Sequence, residues 1–230
     1  MKIKILSTGP FEVNCAIVWN DQREAFVIDP GSDAADIAAI LKENDLTVVA
    51  YLLTHGHADH LCALAELHAA RPAPVYIHTE DLKWAFGPQN QILPYYPVPG
   101  KPVTEFIHPE TSKDCHSTSF RCRRIASTSL PAVEWKISDL RFQCLETPGH
   151  TKGCVCYYFE QEKVIFTGDT LFKGTCGRTD LPGGDGRILA ASLKKLAALP
   201  NDVIVYPGHN ESTTIGYEKK TNFFMQQAGK

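Results

Sequence analysis

The 230-residue sequence has no apolar run near the ~18 residues that a membrane-spanning helix requires. Its opening, Met1-Lys2-Ile3-Lys4-Ile5-Leu6, lacks an apolar core of signal-peptide length. It also lacks an excess of positive charge. Lys and Arg number 23 against 26 Asp and Glu, a formal net charge of −3, whereas a nucleic-acid-binding domain would be strongly basic. Cysteine, by contrast, is not scarce: eight occur, at 15, 62, 115, 122, 144, 154, 156 and 176. They fall largely inside apolar runs such as Cys154-Val155-Cys156-Tyr157-Tyr158, and so read as buried free thiols of a reducing compartment rather than a disulfide framework. These absences point to a cytoplasmic chain with neither a membrane nor a nucleic acid as partner; its oligomeric state is not legible. The remaining composition, 43% hydrophobic and 21% charged, is that of an ordinary globular protein. A chain this long buries enough apolar surface to fold without staples.

Short β-branched and aromatic runs at 3–7, 13–19 and 25–29 read as strands, separated by Gly9-Pro10, Asn20-Asp21 and Pro30-Gly31. Ser32 or Asp33 is placed to cap a helix to about Asn44, with Ile37, Ile40 and Leu41 on one face. Residues 48–53 are a fully apolar run, read as a buried strand. A second helix is expected from Asp59 or His60, with Leu61, Leu64, Ala65 and Leu67 at helical spacing; a short strand follows at 75–78, and Thr79 is expected to cap a helix toward Phe86. From Gly87 to about Leu130 six prolines and a Ser/Thr/Arg-rich stretch read as an irregular excursion, with Arg121-Cys122-Arg123-Arg124 as a solvated basic loop. Strands are expected again at 133–137, 140–146, 154–159, 163–167 and 203–206, with helices at 187–199 and from about 213. The whole reads as one domain over 1–230, an α/β chain whose two successive blocks pack sheet to sheet.

The chemistry is concentrated in His55-Gly56-His57-Ala58-Asp59-His60. A lone histidine is usually a packed or solvated side chain, and His68, His78, His108 and His116 are read that way. Three histidines and an aspartate within six residues, directly after an apolar strand, are a ligand cluster. His55 and His57, two apart, can point the same way from extended backbone, while Asp59 and His60 lie past the turn and could face a different ion. Imidazole and carboxylate donors suit zinc, iron or manganese and require no thiolate. Three later loops share one pattern: an apolar strand, a glycine, then a ligand-type side chain. They end in Gly149-His150, Gly168-Asp169 and Gly208-His209. Glycine at such a place permits a tight turn and close backbone approach.

This set, His55-x-His57-x-Asp59-His60 followed by His150, Asp169 and His209, resembles the metallo-β-lactamase superfamily, as does Asp29-Pro30-Gly31 after the third strand. The resemblance implies a four-layer αββα sandwich with its site at one edge of the two sheets. It implies two divalent metal ions, zinc first with iron or manganese as alternatives: His55, His57 and His150 on one, Asp59, His60 and His209 on the other, Asp169 on both. It further implies hydrolysis by a metal-bridging hydroxide, with Asp59 and Asp169 as the catalytic carboxylates. An aspartate at 169, where many true β-lactamases carry cysteine, argues against antibiotic hydrolysis.

The run Gly174-Thr175-Cys176-Gly177-Arg178-Thr179-Asp180 is similar to the glyoxalase II group, thioesterases acting on S-2-hydroxyacyl glutathione. That likeness implies a small-molecule thioester substrate and makes Arg178 a contact for its anionic part; the plainer reading of Arg178 is an ion pair within its loop. The chain lacks the C-terminal helical extension usual in that group and resembles its short bacterial-type members. Persulfide dioxygenases, which hold a single iron, share the Cys-Gly-Arg-Thr-Asp run, but Pro207-Gly208-His209-Asn210 is similar to the hydrolases. A non-catalytic binding protein of the same fold would be expected to have lost ligands, and all seven are present.

Overall fold

The computed structural model describes residues 1–110, the backbone of 120–125, and residues 132–137 and 139–228. The first block runs β1 (Lys2–Thr8), β2 (Val13–Trp19), β3 (Glu24–Ile28), α1 (Ala34–Glu43), β4 (Thr47–Leu52), α2 (Leu64–Ala70), β5 (Val75–Tyr76) and α3 (Thr79–Leu82). The second runs β6 (Phe120–Ile125), β7 (Ala132–Ile137), β8 (Leu140–Glu146), β9 (Val155–Phe159), β10 (Val164–Gly168), β11 (Leu171–Phe172), β12 (Thr175–Cys176), α4 (Gly186–Ala197), β13 (Ile204–Pro207), β14 (Thr213–Thr214), α5 (Ile215–Thr221) and α6 (Phe223–Ala228). Strands β1 to β5 form one sheet in sequence order, and β14-β13-β10-β9-β8-β7-β6 form the other. Within them β3/β4 and β10/β13 are parallel pairs.

The period-2 alternation of the strands sorts side chains into layers. In β3, Ala25 and Val27 join the cluster that includes Ile37 and Leu41 of α1 and Leu64 and Leu67 of α2. Their neighbours Phe26 and Ile28 face the other sheet. In β9, Val155, Tyr157 and Phe159 face between the sheets, while Cys156 and Tyr158 pack with Leu193 and Leu196 of α4 and Met225 of α6. The result is the expected helix–sheet–sheet–helix sandwich. Phe142 is central to its middle layer, with ring centroids 5.6 Å from Phe26, 5.5 Å from Tyr157 and 5.9 Å from Phe159. Phe142→Ala leaves a cavity bounded on several sides by rigid rings. It is expected to lower unfolding free energy in denaturant by about 3–5 kcal/mol, with the ligand loops untouched.

The structure corrects the sequence reading in four places. The excursion at 87–130 is not wholly irregular: 120–125 is a strand, paired antiparallel with β7 from Phe120↔Ile137 to Ile125↔Ala132. A charged edge strand reads as a solvated loop because charge is how sheet edges avoid further pairing. Thr111 to Lys113 and the rest of 111–119, with Cys115 and His116, lie outside the described residues, as do 126–131 and the side chains of Arg121 to Arg124. The second helix starts at Leu64, not at Asp59 or His60. Ala58–His60 is a separate 3-10 turn, and Leu61 at φ −143° breaks the helical path after it. Helix α3 is capped by His78, whose Nδ1 accepts the Glu80 N–H at 3.0 Å; Thr79 instead donates to Glu110. Finally, 213–228 holds a short strand and two helices broken at Asn222, whose amide reaches back to the Thr175 carbonyl at 2.9 Å.

Among the described residues no helix is long and apolar enough to cross a membrane. Cys15, Cys144, Cys154 and Cys156 are buried free thiols, and Cys62 and Cys176 are free and partly buried.

Candidate metal centre

The ligand loops all leave the carboxyl ends of strands: β4 leads to His55, β8 to His150, β10 to Asp169 and β13 to His209. The two sheets are stitched together at this edge. Val155 N–H donates to the Thr54 carbonyl at 2.9 Å, and the Tyr157 hydroxyl to Leu53 at 2.8 Å. Asn14 N–H donates to the Gly208 carbonyl at 2.7 Å, and its side-chain amide to the carbonyls of Pro207 and Asn210. Residues far apart in sequence therefore meet at one place because two packed sheets are held in register there.

All seven sequence-derived ligands converge. His55, His60, Asp59 and His150 are buried, and His57 and His209 are partly buried. His57 Nδ1 lies 2.9 Å from His150 Nε2. Asp169 sits between groups: Oδ1 is 3.4 Å from His60 Nε2, and Oδ2 is 3.5 Å from His150 Nε2 and 3.7 Å from His209 Nε2. Asp59 Oδ2 is 3.5 Å from His209 Nε2 and 3.7 Å from His60 Nε2. Donor atoms lie within 4.8 Å of one another in His55/His57/His150, in Asp59/His60/His209, and in Asp29/His55/His60. The third group is discounted because Asp29 is already engaged through both oxygens, accepting the Thr54 N–H at 2.8 Å and the Thr54 hydroxyl at 2.6 Å.

The far sides of the imidazoles are tied to the protein. His150 Nδ1 donates to the Arg178 carbonyl at 2.7 Å, and His209 Nδ1 to the Phe11 carbonyl at 2.8 Å. His60 Nδ1 is 3.1 Å from Asp29 Oδ2. The Thr54 hydroxyl, donating to Asp29, leaves a lone pair for His55 Nδ1 at 3.1 Å. Such partners fix ring orientation and turn the other nitrogen inward. Among the described residues, buried His55 Nε2, His60 Nε2 and Asp169 Oδ1 have no hydrogen-bond partner. Orphaned buried polar atoms are costly, and a cation shared among them removes that cost. The nitrogen and oxygen donors fit a pair of divalent ions.

Electrostatics divide the cluster. Burial, with the neighbouring His60, His57 and His150, holds His55 well below its ordinary value. Burial and His150 push His57 down to about 4. Both rings are thus neutral and ligand-ready at neutral pH. Burial also works against a charged His60, but the nearby Asp169 and Asp59 carboxylates, with Asp29 at its other ring nitrogen, together raise it well above the usual range. Burial opposes ionisation of Asp169, and His60, His209 and His150 overcome it and hold the carboxyl low.

Two glycines are required by the site itself. Gly168 has φ +48°, and a Cβ there would lie 2.2 Å from Thr54 Oγ1; a Cβ at Gly208 would lie 2.4 Å from Asp169 Oδ1 and 2.7 Å from His60 Cε1. Several supporting residues escaped the sequence reading. Asn90 accepts the Ala58 N–H at 3.1 Å and donates to the carbonyls of Gly56 and Ala85, so it clamps the cluster loop. Asp29 was legible only as part of a turn, and the Phe11 carbonyl carries no side-chain signal at all.

Two clefts open on the centre. One, of roughly 810 Å³, is walled by Trp84, Ile92, Leu181 and Pro182, with Lys83 and Lys152. The other, of roughly 700 Å³, is bounded by Asn14, Phe172, Thr175 and Cys176. Phe11, Asp169, Arg178 and His209 line both. The Arg178 guanidinium is exposed and forks onto Asp180, Nε and Nη2 each 2.7 Å from an oxygen. Of the aromatics between Pro94 and Pro97, Tyr96 is buried with its hydroxyl accepting the Phe11 N–H, while Tyr95 is exposed with its ring tilted against that of Phe11. His68, His78 and His108 stand apart from the ligand set: His68 is in the last turn of α2, and His108 Nδ1 bonds the Ile77 carbonyl.

Comparison with known proteins matches residues 8–209 to the metallo-beta-lactamase superfamily. The chain is 33% identical over 226 residues to hydroxyacylglutathione hydrolase GloC of Haemophilus influenzae, covering 98% of each. Among solved structures it is similar to the B3 metallo-beta-lactamase BLEG-1, with a TM-score of 0.82 and 34% identity over 97% of this chain and 99% of that one. It is also similar to TTHA1623, solved in a di-iron-bound form, with a TM-score of 0.75 and 32% identity over 96% and 99%.

Proposed function

The chain belongs to the metallo-β-lactamase superfamily, and on that premise we propose that it is a metal-dependent hydrolase of thioesters, of the hydroxyacylglutathione hydrolase type. The observation that carries this reading is the convergence of two ligand trios on one carboxylate, Asp169. His55, His57 and His150 would hold one ion, Asp59, His60 and His209 the other, and Asp169 would reach both. The ions would supply Lewis acidity and lower the pKa of water toward neutrality. The donor set accepts zinc, iron or manganese. Asp59 is the carboxylate suited to orient an attacking water and take its proton. Burial disfavours its charge, but His60 and His209 hold its pKa low, so it is an ionised acceptor at neutral pH. The thioester itself is supported by the full-length likeness to the GloC hydrolase and by Arg178, which lines both clefts.

Metal analysis of purified protein, followed by assays against an S-2-hydroxyacyl glutathione, glutathione persulfide with oxygen monitored, and a chromogenic cephalosporin, tests the proposal. Thioester cleavage with two ions per chain and no oxygen uptake is expected. Oxygen uptake with a single iron would replace it with persulfide oxidation, and cephalosporin turnover alone with lactam hydrolysis.

Arg178 can be tested separately. Its carbonyl, not its side chain, holds His150, so removing the guanidinium leaves the ligands in place. Arg178→Ala is expected to raise KM for an anionic thioester about tenfold, the low end for a charged hydrogen bond because the group is exposed, with kcat nearly unchanged. An unaltered KM would leave Arg178 as no more than the loop partner of Asp180.

A further inference from the structure

Asp81 is a fully buried carboxylate in α3 that touches neither cleft nor ligand atom. Its three hydrogen bonds go to two separate ligand loops. Oδ2 accepts the Gly56 N–H at 2.9 Å and the Thr151 hydroxyl at 2.7 Å; Oδ1 accepts the Gly153 N–H at 2.8 Å. Gly56 stands between His55 and His57, and Thr151 directly follows His150. One carboxylate thus clamps the β4 loop to the β8 loop at the point where His57 Nδ1 and His150 Nε2 approach to 2.9 Å.

The glycines on both loops record the same constraint. A Cβ at Gly153 would lie 2.6 Å from Asp81 Oδ1, and one at Gly56 would lie 3.1 Å from the Cβ atoms of Asp81 and Ala85. Each loop brings bare backbone N–H groups against the carboxylate. Burial raises the Asp81 pKa, and the hydrogen bonds from Thr151, Gly56 and Gly153 counter only part of that. A carboxylate kept buried at such a cost is poorly explained by core packing, for which an apolar side chain serves as well.

We infer that Asp81 is a positioning residue that sets the separation of His57 and His150, and so governs the three-histidine subsite alone. The other trio is held by different groups: His60 by Asp29 and His209 by the Phe11 carbonyl, neither of which bonds Asp81. The inference rests on the two-ion reading of the centre.

The test uses full-length protein loaded with zinc or with cobalt(II) and challenged with graded chelator. Metal per chain and the cobalt visible spectrum are read, and thermal unfolding of the chelated forms measures folding separately. Asp81→Ala is expected to weaken one ion of the two by roughly 10- to 100-fold, the range for loss of a group supporting a ligand, and to change the spectrum of that ion only. Asp81→Asn, which keeps an acceptor for Gly56 and Thr151 but presents an NH2 to the Gly153 N–H, should fall between Ala and wild type. Thr151→Val removes one donor, leaves the carboxylate, and should weaken the same ion less; it serves with Asp81→Asn if the alanine variant does not fold. Equal weakening of both ions, or wild-type retention of both in a folded variant, overturns the role of Asp81 while leaving the centre intact. Failure of the wild type to bind two ions overturns the centre and this inference with it.

Discussion

Asp169→Ala is expected to strip both ions and to lower kcat/KM by at least about 10³-fold, because several kcal/mol of charge stabilisation leave with them. The carboxylate reaches members of both trios, through Oδ1 toward His60 and Oδ2 toward His150 and His209. Its Oδ1 is also one of the buried atoms that have no hydrogen-bond partner among the described residues. Without it five imidazoles remain, with Asp59 as the sole carboxylate among the proposed ligands, and two divalent ions in that space repel with little to screen them. Metal content by elemental analysis and turnover should fall together. A variant that kept two ions per chain and near-normal kcat/KM would show that Asp169 is not shared between them.

A methyl group at position 208 should do comparable damage without removing any ligand. Gly208→Ala places its Cβ 2.4 Å from Asp169 Oδ1 and 2.7 Å from His60 Cε1, inside the contact distance of both. Neither can retreat easily: His60 is fully buried and held by Asp29, and Asp169 sits against the β10 turn. Overpacking of this kind costs about 1–3 kcal/mol, so Gly208→Ala is expected to lose metal and to melt lower. Gly174 is the control. It has φ +75° but nothing within 4 Å of a Cβ, so Gly174→Ala carries backbone strain alone and should keep its metal content. Equal metal content in the two variants would rule out crowding of Asp169 and His60 as the reason for glycine at 208.

The proposed ligands were legible as a group because the loops that carry them each follow an apolar strand, and a strand end fixes the direction in which the loop leaves. The strands were legible for a related reason: alternations such as Ala25-Phe26-Val27-Ile28 match two apolar faces, one toward helices and one toward the second sheet. What escaped was everything decided by a partner distant in sequence. Asp81 looks like an ordinary acid in the first turn of a helix, and only the fold brings Gly56 and Thr151 to it. Asn90 lies in a proline-rich stretch with no local pattern, yet it clamps the cluster loop. The separate turn at Ala58–His60 has the helical spacing of the residues after it, so the break at Leu61 leaves no mark in the local pattern. The glycines at 56 and 153 were the available hint, since a glycine beside a ligand can signal a buried acceptor. They do not say which residue it is.

Each sheet is drawn from one continuous stretch of chain, residues 2–76 for the first and 120–214 for the second. The centre divides along the same line. The first stretch supplies His55, His57, Asp59 and His60, and the second supplies His150, Asp169 and His209. Neither trio is complete within either stretch, since one lacks His150 and the other His209 until the sheets meet. A refolding chain can therefore form both sheets and still take up no ion tightly. On the two-ion reading, tight metal uptake would require the two halves to have closed on each other, and so would report that closure in a refolding experiment.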